Sequence, residues 1–224
     1  MMLRTKVVLI LLAFFALFGA LDLALQRIVI LPSFVELERN EARKDMDRAL
    51  RSVHAELSHL SIAVLNEAHW DDSYEFVVDA NQRYIEENLG GNDIFATYNI
   101  HLIHYYDTAG KLTWGAEGDP KTGERLEIPG LTGRDLGPDH VLLRRTGPST
   151  GITGIYMSKM GPLLISAQPI LTSEIKGPER GTLVMARRLD DAAIKAFGAT
   201  SQVDLRMTVI KKGSETAKQE RANS

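Results

Sequence analysis

The sequence predicts an α+β protein: an N-terminal transmembrane helix, a long helix, then an antiparallel sheet with short helices. Three observations carry this. Val7 to Leu21 is a run of 15 uncharged residues, almost all apolar. Met46, Leu50, Val53, Leu57, Leu60 and Val64 recur with the 4-3-4-3-4 spacing of an a/d heptad stripe. From Asn99 onward the hydrophobic period shortens to that of strands, broken by Gly-containing turns.

The apolar run continues past Asp22 into LALQRIVIL. A bilayer core needs roughly 20 apolar residues, so Val7 to Leu25 can span it with Asp22 near one interface. A cleaved signal would want small residues one and three positions before the cut, and Phe18 or Asp22 stands there instead. The run is therefore read as an uncleaved anchor. Arg4 and Lys6 on its N-terminal side favour a cytoplasmic N-terminus, which puts everything from about Gln26 onward outside the inner membrane.

Residues 33 to about 69 read as one helix, roughly 55 Å long at the usual rise. Pro32 marks a break from the membrane segment, and Ser33 with Glu36 forms a capping box. The heptad stripe must be buried, either on the rest of the domain or in a parallel dimer. Both readings stay open.

Beyond it, NIHLIHYYDTAGKLTWG reads as two strands around Thr108-Ala109-Gly110. Ala116 to Leu136 is a Gly-, Pro- and charge-rich excursion. GITGIYMSKMGPLLISAQPIL gives two more strands around Met160-Gly161-Pro162, and TLVMARRL another after the turn at GPERG. Asp190 is placed to cap a short helix, DAAIKAF, and QVDLRMTVI, Gln202 to Ile210, is expected as a last strand. The domain boundaries that follow are 1–30 for the cytoplasmic stub and anchor, 31–212 for the extracytoplasmic domain, and 213–224 for a disordered polar tail.

Composition excludes several functions. Net charge is −3 overall, and −4 once Arg4, Lys6 and Asp22 are set aside, so nucleic acid is not an expected partner. With no cysteine, disulfides, thiol nucleophiles and Cys-ligated metals are ruled out. His101 and His104 stand three apart in a strand and so face opposite ways, and no metal site is expected. There is no phosphate loop or serine-nucleophile motif, and neither a catalytic residue nor a cofactor is expected.

The stretch richest in functional side chains is EAHWDDSYEFVVDANQRYIEENL. Asp71 and Asp72 are poor candidates for an acid/base pair, because adjacent helical residues point about 100° apart. Capping and contact with a ligand both remain. Trp70 and Tyr74, four apart, can cover the sheet or wall a pocket. Asn81, Tyr84 and Asn88 share a helix face, costly to bury unless hydrogen-bonded to protein or to a small polar ligand. These seven are the candidate ligand-binding residues.

An N-terminal anchor, then LPSFVELE, a long helix and WDDSYEFVVDANQRYIEENL, together resemble the CHASE type 4 family of extracytoplasmic sensor domains. SAQPILTSEIKGPERGTLVMARRLDD is similar to that family's C-terminal half, and the resemblance runs from about Leu31 to Leu205. It implies a PAS-like, Cache-related sheet that binds a small ligand on the periplasmic side of sensor kinases, cyclic-di-GMP enzymes or, at times, chemoreceptors. Family members normally continue into a second span and an output module. This chain, which stops at Ser224, is therefore expected to be a fragment or to lack its own transmitter. The resulting expectation is a single-pass protein of the bacterial inner membrane, a homodimer through its long helix, that senses an unknown small polar ligand. The alternative is a membrane-tethered interaction or structural module without such a ligand.

Overall fold

The structure is a computed structural model that describes residues 3–90, 93–137, 139–147, 149–201 and 203–208. It divides into two units, Met1–Leu50 and Arg51–Ser224.

In the first unit, α1 (Leu3–Leu25) passes through a π-helical turn (Gln26–Ile30) into α2 (Leu31–Ala68). Among the described residues this is the one helix long and apolar enough to cross a membrane. The expected break at Pro32 does not occur. Proline lacks an N–H and crowds the carbonyl four residues back, which here belongs to Ile28. The π-turn immediately upstream, where Leu31 N–H reaches Gln26 O, widens the ladder and admits the ring in the first turn of α2. The capping box is absent for the same reason: Ser33 is already helical, and its hydroxyl donates back to the Val29 carbonyl.

In the second unit the rest of α2 leads to α3 (Asp71–Asp79), α4 (Gln82–Tyr84) with a π-turn (Ile85–Leu89), and α5 (Asp93–Tyr98). The five strands are β1 (Leu102–Asp107), β2 (Leu112–Glu117), β3 (Ile152–Ser158), β4 (Gly161–Pro169) and β5 (Gly181–Arg188), and α6 (Asp191–Ser201) follows. All neighbours are antiparallel, in the order β2-β1-β5-β4-β3. The fold is α+β. Gly110 closes the β1–β2 turn at φ +81°, where a Cβ would also lie 2.4 Å from Leu136 O, so a side chain is excluded twice over.

Period-2 alternation gives the sheet two packed faces. On one, Ile103, Tyr105, Leu164, Leu183 and Met185 meet the helices through Leu60, Val64, Ala68, Phe76 and Tyr84. On the other, Leu102, Tyr106, Leu163, Ile165 and Val184 are covered by Ile128, Leu131, Leu136 and Leu142. The Gly- and Pro-rich excursion thus supplies three isolated apolar residues of this second core, and Leu142, in the turn Val141–Leu143 beyond it, supplies the fourth. The heptad stripe is split: Leu60 and Val64 are buried, Val53 and Leu57 pack at the core's rim, while Met46 and Leu50 remain 61% and 50% exposed.

The expected strand at Gln202–Ile210 is corrected. Residues 203–208 form no strand, and Gln202, Val209 and Ile210 lie outside the described residues, as does the 213–224 tail. Val203 N–H closes on Gly198 O, and Leu205 packs on the helix-side core, so the alternating residues lay the segment along α6. The sheet ends at β2 and β3. Asp190 caps α6 as expected, its carboxylate accepting from Ala193 N–H at 3.0 Å.

Candidate functional site

The junction where α2 ends is built from local conformational choices. Trp70 is extended (φ −108°, ψ 134°), so it precedes α3 rather than sharing its face with Tyr74. Asp71 and Asp72 open α3, where negative charge is favoured by the helix dipole. Ala80, at φ 48°, ends α3, and Asn81 caps the next turn by accepting from Tyr84 N–H at 2.8 Å.

Two of the seven candidates, Asp71 and Tyr74, hold the β4–β5 connection. Asp71 accepts from Ser173 twice, from its N–H at 2.9 Å and its hydroxyl at 2.8 Å. Those two bonds hold the Asp71 carboxyl below the usual carboxylate range. Tyr74 donates its hydroxyl to Pro178 O at 3.0 Å, and the Arg180 guanidinium lies 4.0 Å above its ring. Trp70 is 37% exposed, its ring centroid 5.9 Å from that of Tyr84. Leu171 N–H, in the same connection, donates to Ala68 O at 3.0 Å, the last residue of α2. The connection is therefore bonded to both helices that meet at this corner.

Tyr84 lies between sheet and helix. Its ring stacks on Phe76 with centroids 4.4 Å apart, and its hydroxyl shares hydrogen bonds with Ser73 at 2.7 Å and Tyr105 at 3.2 Å. Burial pushes that hydroxyl's pKa up. The space between the sheet and this segment is thus filled by rings.

The opening is on the outer side. A cleft of about 270 Å³ is lined by Asp72, Glu75, Asn81, Arg83, Tyr84, Glu87 and Asn88. Of the sequence candidates it unites Asp72, Asn81, Tyr84 and Asn88, and leaves out Trp70, Asp71 and Tyr74. Arg83 and Glu87, paired at 3.0 Å, are additions that their i, i+4 spacing could have signalled. Glu75, one turn on from Asp72, is another. A cleft of about 680 Å³ between α6 and residues 203–208 is larger, but its lining includes Ile194, Val203, Leu205 and Met207 and brings together fewer polar groups.

Sequence reasoning also missed a buried polar cluster on the loop-covered face. His104 Nε2 is 2.7 Å from Glu117 Oε1, and its Nδ1 is 2.8 Å from the Tyr106 hydroxyl. Gly115 makes room for it, since a Cβ there would sit 2.5 Å from the imidazole.

Residues 52–208, most of the second unit, match the model of the CHASE4 domain. The chain belongs to the CHASE4 family. CHASE4 is an extracytoplasmic sensor domain of signal-transduction proteins, and here it follows one apolar helix. The methanogenesis regulatory histidine kinase FilI of Methanothrix harundinacea (strain 6Ac) is 34% identical over 172 residues, 77% of this chain and 19% of that protein. The chain thus spans about a fifth of that relative's length. Among solved structures, the domain of a sensory box/GGDEF family protein from Vibrio parahaemolyticus aligns with TM-score 0.52 at 17% identity, covering 73% of this chain and 64% of that one. That likeness concerns the fold alone.

Proposed function

We propose that this CHASE4 domain is the ligand-sensing input part of a membrane-anchored signalling protein, with its sensor domain on the periplasmic side of the cytoplasmic membrane. Arg4 and Lys6, before the apolar helix, support that orientation. The output is a histidine kinase or a cyclic-di-GMP enzyme, a reading supported by the kinase relative, and its catalysis lies outside this chain. The ligand is a small polar solute bound in the Asp72–Asn88 cleft. One observation carries this: the cleft's Asp72 adjoins Asp71, whose partner Ser173 stands two residues from Leu171, and Leu171 is bonded to Ala68 at the end of α2. A solute that orders α3 and α4 would bias the β4–β5 connection and, through Ala68, the long helix. Met46 and Leu50, apolar and exposed, are suited to a second long helix, so the input is read as a change in a helix-mediated homodimer.

The test is a thermal-shift screen of the full chain in detergent against amines, amino acids and organic acids. A solute at a hundredfold over its Kd is expected to raise Tm by about 5–10 °C. The shift should vanish in the Asp72→Ala, Asn88→Ala double variant. A shift that survives there would place the ligand elsewhere.

A further inference from the structure

The two edges of the sheet are finished differently. β2 is blunted: it pairs with β1 through a bulge at Tyr105/Tyr106. Its Leu112 N–H donates to the Asp135 carboxylate at 2.8 Å, and Thr113 donates its hydroxyl to Val77 O. Beyond its end, Leu126 N–H comes back to Glu117 O. β3 carries none of these devices among the described residues. It pairs with β4 in regular register over seven residues, and no strand lies on its other side. From Gly151 to Ser158 it contains no charge and no proline. Tyr156 packs against the loop-side core, while Ile155 and Met157, on the other face, remain 50% and 52% exposed. A long, regular, uncharged edge is a template for another strand.

We infer that the β3 edge pairs with the β3 edge of a second copy of this chain, antiparallel about a two-fold axis at Ile155. The alternation is self-complementary under that operation. Ile155 falls opposite Ile155 of the other copy, and Thr153 opposite Met157. The absence of charge means that no like charges face each other. A partner with a charged strand would gain no charged group to pair with along Ile152–Ser158. This contact is separate from the long helix and does not depend on the ligand cleft.

The chain lacks cysteine, which makes cross-linking clean. Residues directly opposite in an antiparallel pair have Cα atoms about 4.5–5.5 Å apart, within disulfide reach. Ile155→Cys in the full chain, oxidised in native membranes, is expected to give a covalent homodimer several-fold more abundant than Thr113→Cys on the β2 edge. The Thr153→Cys and Met157→Cys variants, mixed, should cross-link better together than either does alone. Ile155→Lys should lower the Thr153→Cys/Met157→Cys cross-link several-fold while leaving the Leu50→Cys cross-link unchanged. Leu50→Cys reports the helix contact independently, so failure there leaves the edge contact standing. The inference is overturned if Ile155→Cys cross-links no better than Thr113→Cys, or if it is captured by a different protein instead of its own copy.

Discussion

The two faces of the sheet bury polar atoms by different means. On the helix-covered face the buried hydrogen bonds join hydroxyls and an amide: Ser73, Tyr84 and Tyr105 share one chain, and the Gln168 amide reaches Ser61, Thr153 and Ser166, while the ion pair of Glu56 and Arg187 ties α2 to β5 at the part-exposed rim. On the loop-covered face a carboxylate and an imidazole, Glu117 and His104, are buried against each other, with Tyr106 as third member. Hydroxyls can exchange donor and acceptor roles as helices shift, at small cost per bond. A buried carboxylate cannot leave its partner without a large penalty. The buried hydrogen bonds on the face that touches α2 therefore cost less to rearrange than the buried carboxylate–imidazole contact on the opposite face.

The largest expected effect breaks the carboxylate–imidazole contact. His104→Ala strands the Glu117 carboxylate and should destabilise the domain by about 3–5 kcal/mol in chemical denaturation. Replacing both, with His104→Phe and Glu117→Leu, should recover much of that loss, because no buried charge is left unpaired. A smaller effect is expected on the other face. Tyr84→Phe keeps the ring stack on Phe76 but removes the hydroxyl between Ser73 and Tyr105, a loss of about 1–2 kcal/mol.

Much of this comparison was hidden in the sequence. The helix-covered face was legible where periodicity is local: Leu57, Leu60 and Val64 recur at heptad spacing, both hairpins announce their turns, and Asp190 precedes its helix. The loop-covered face was not. Ile128, Leu131, Leu136 and Leu142 follow no period, and His104 meets Glu117 only because the β1–β2 register sets them two positions off opposite. At the junction, Asp71 showed its residue type but not its partner, because Ser173 lies 102 residues further on. Val203, Leu205 and Met207 alternate as a strand would, yet no sheet edge receives them, and packing against α6 prevailed.

Acidification should sharpen the comparison. Burial lowers the pKa of His69, at the end of α2, and of His101, just before β1. A histidine depressed on folding binds its proton more readily in the unfolded chain, so stability falls as pH drops through about 6.5. The melting temperature should decline between pH 7.5 and 5.5, with a shallower slope in His101→Asn. The smallest effect belongs to Asp71, whose depressed carboxyl contributes stability above the unfolded carboxylate pKa and loses it as pH falls through the lower folded value. Asp71→Ala should lower Tm only slightly at neutral pH and not at all once the pH is below both values.

Hydrogen exchange tests the difference between the two faces most directly. The full chain would be compared with and without the solute that gives the largest thermal shift. Slower exchange is predicted at Leu171, at Ser173 and across α3, with residues 118–137 unchanged. Protection confined to 118–137, with Leu171 unaffected, would contradict the account and make the loop-covered face the sensing one.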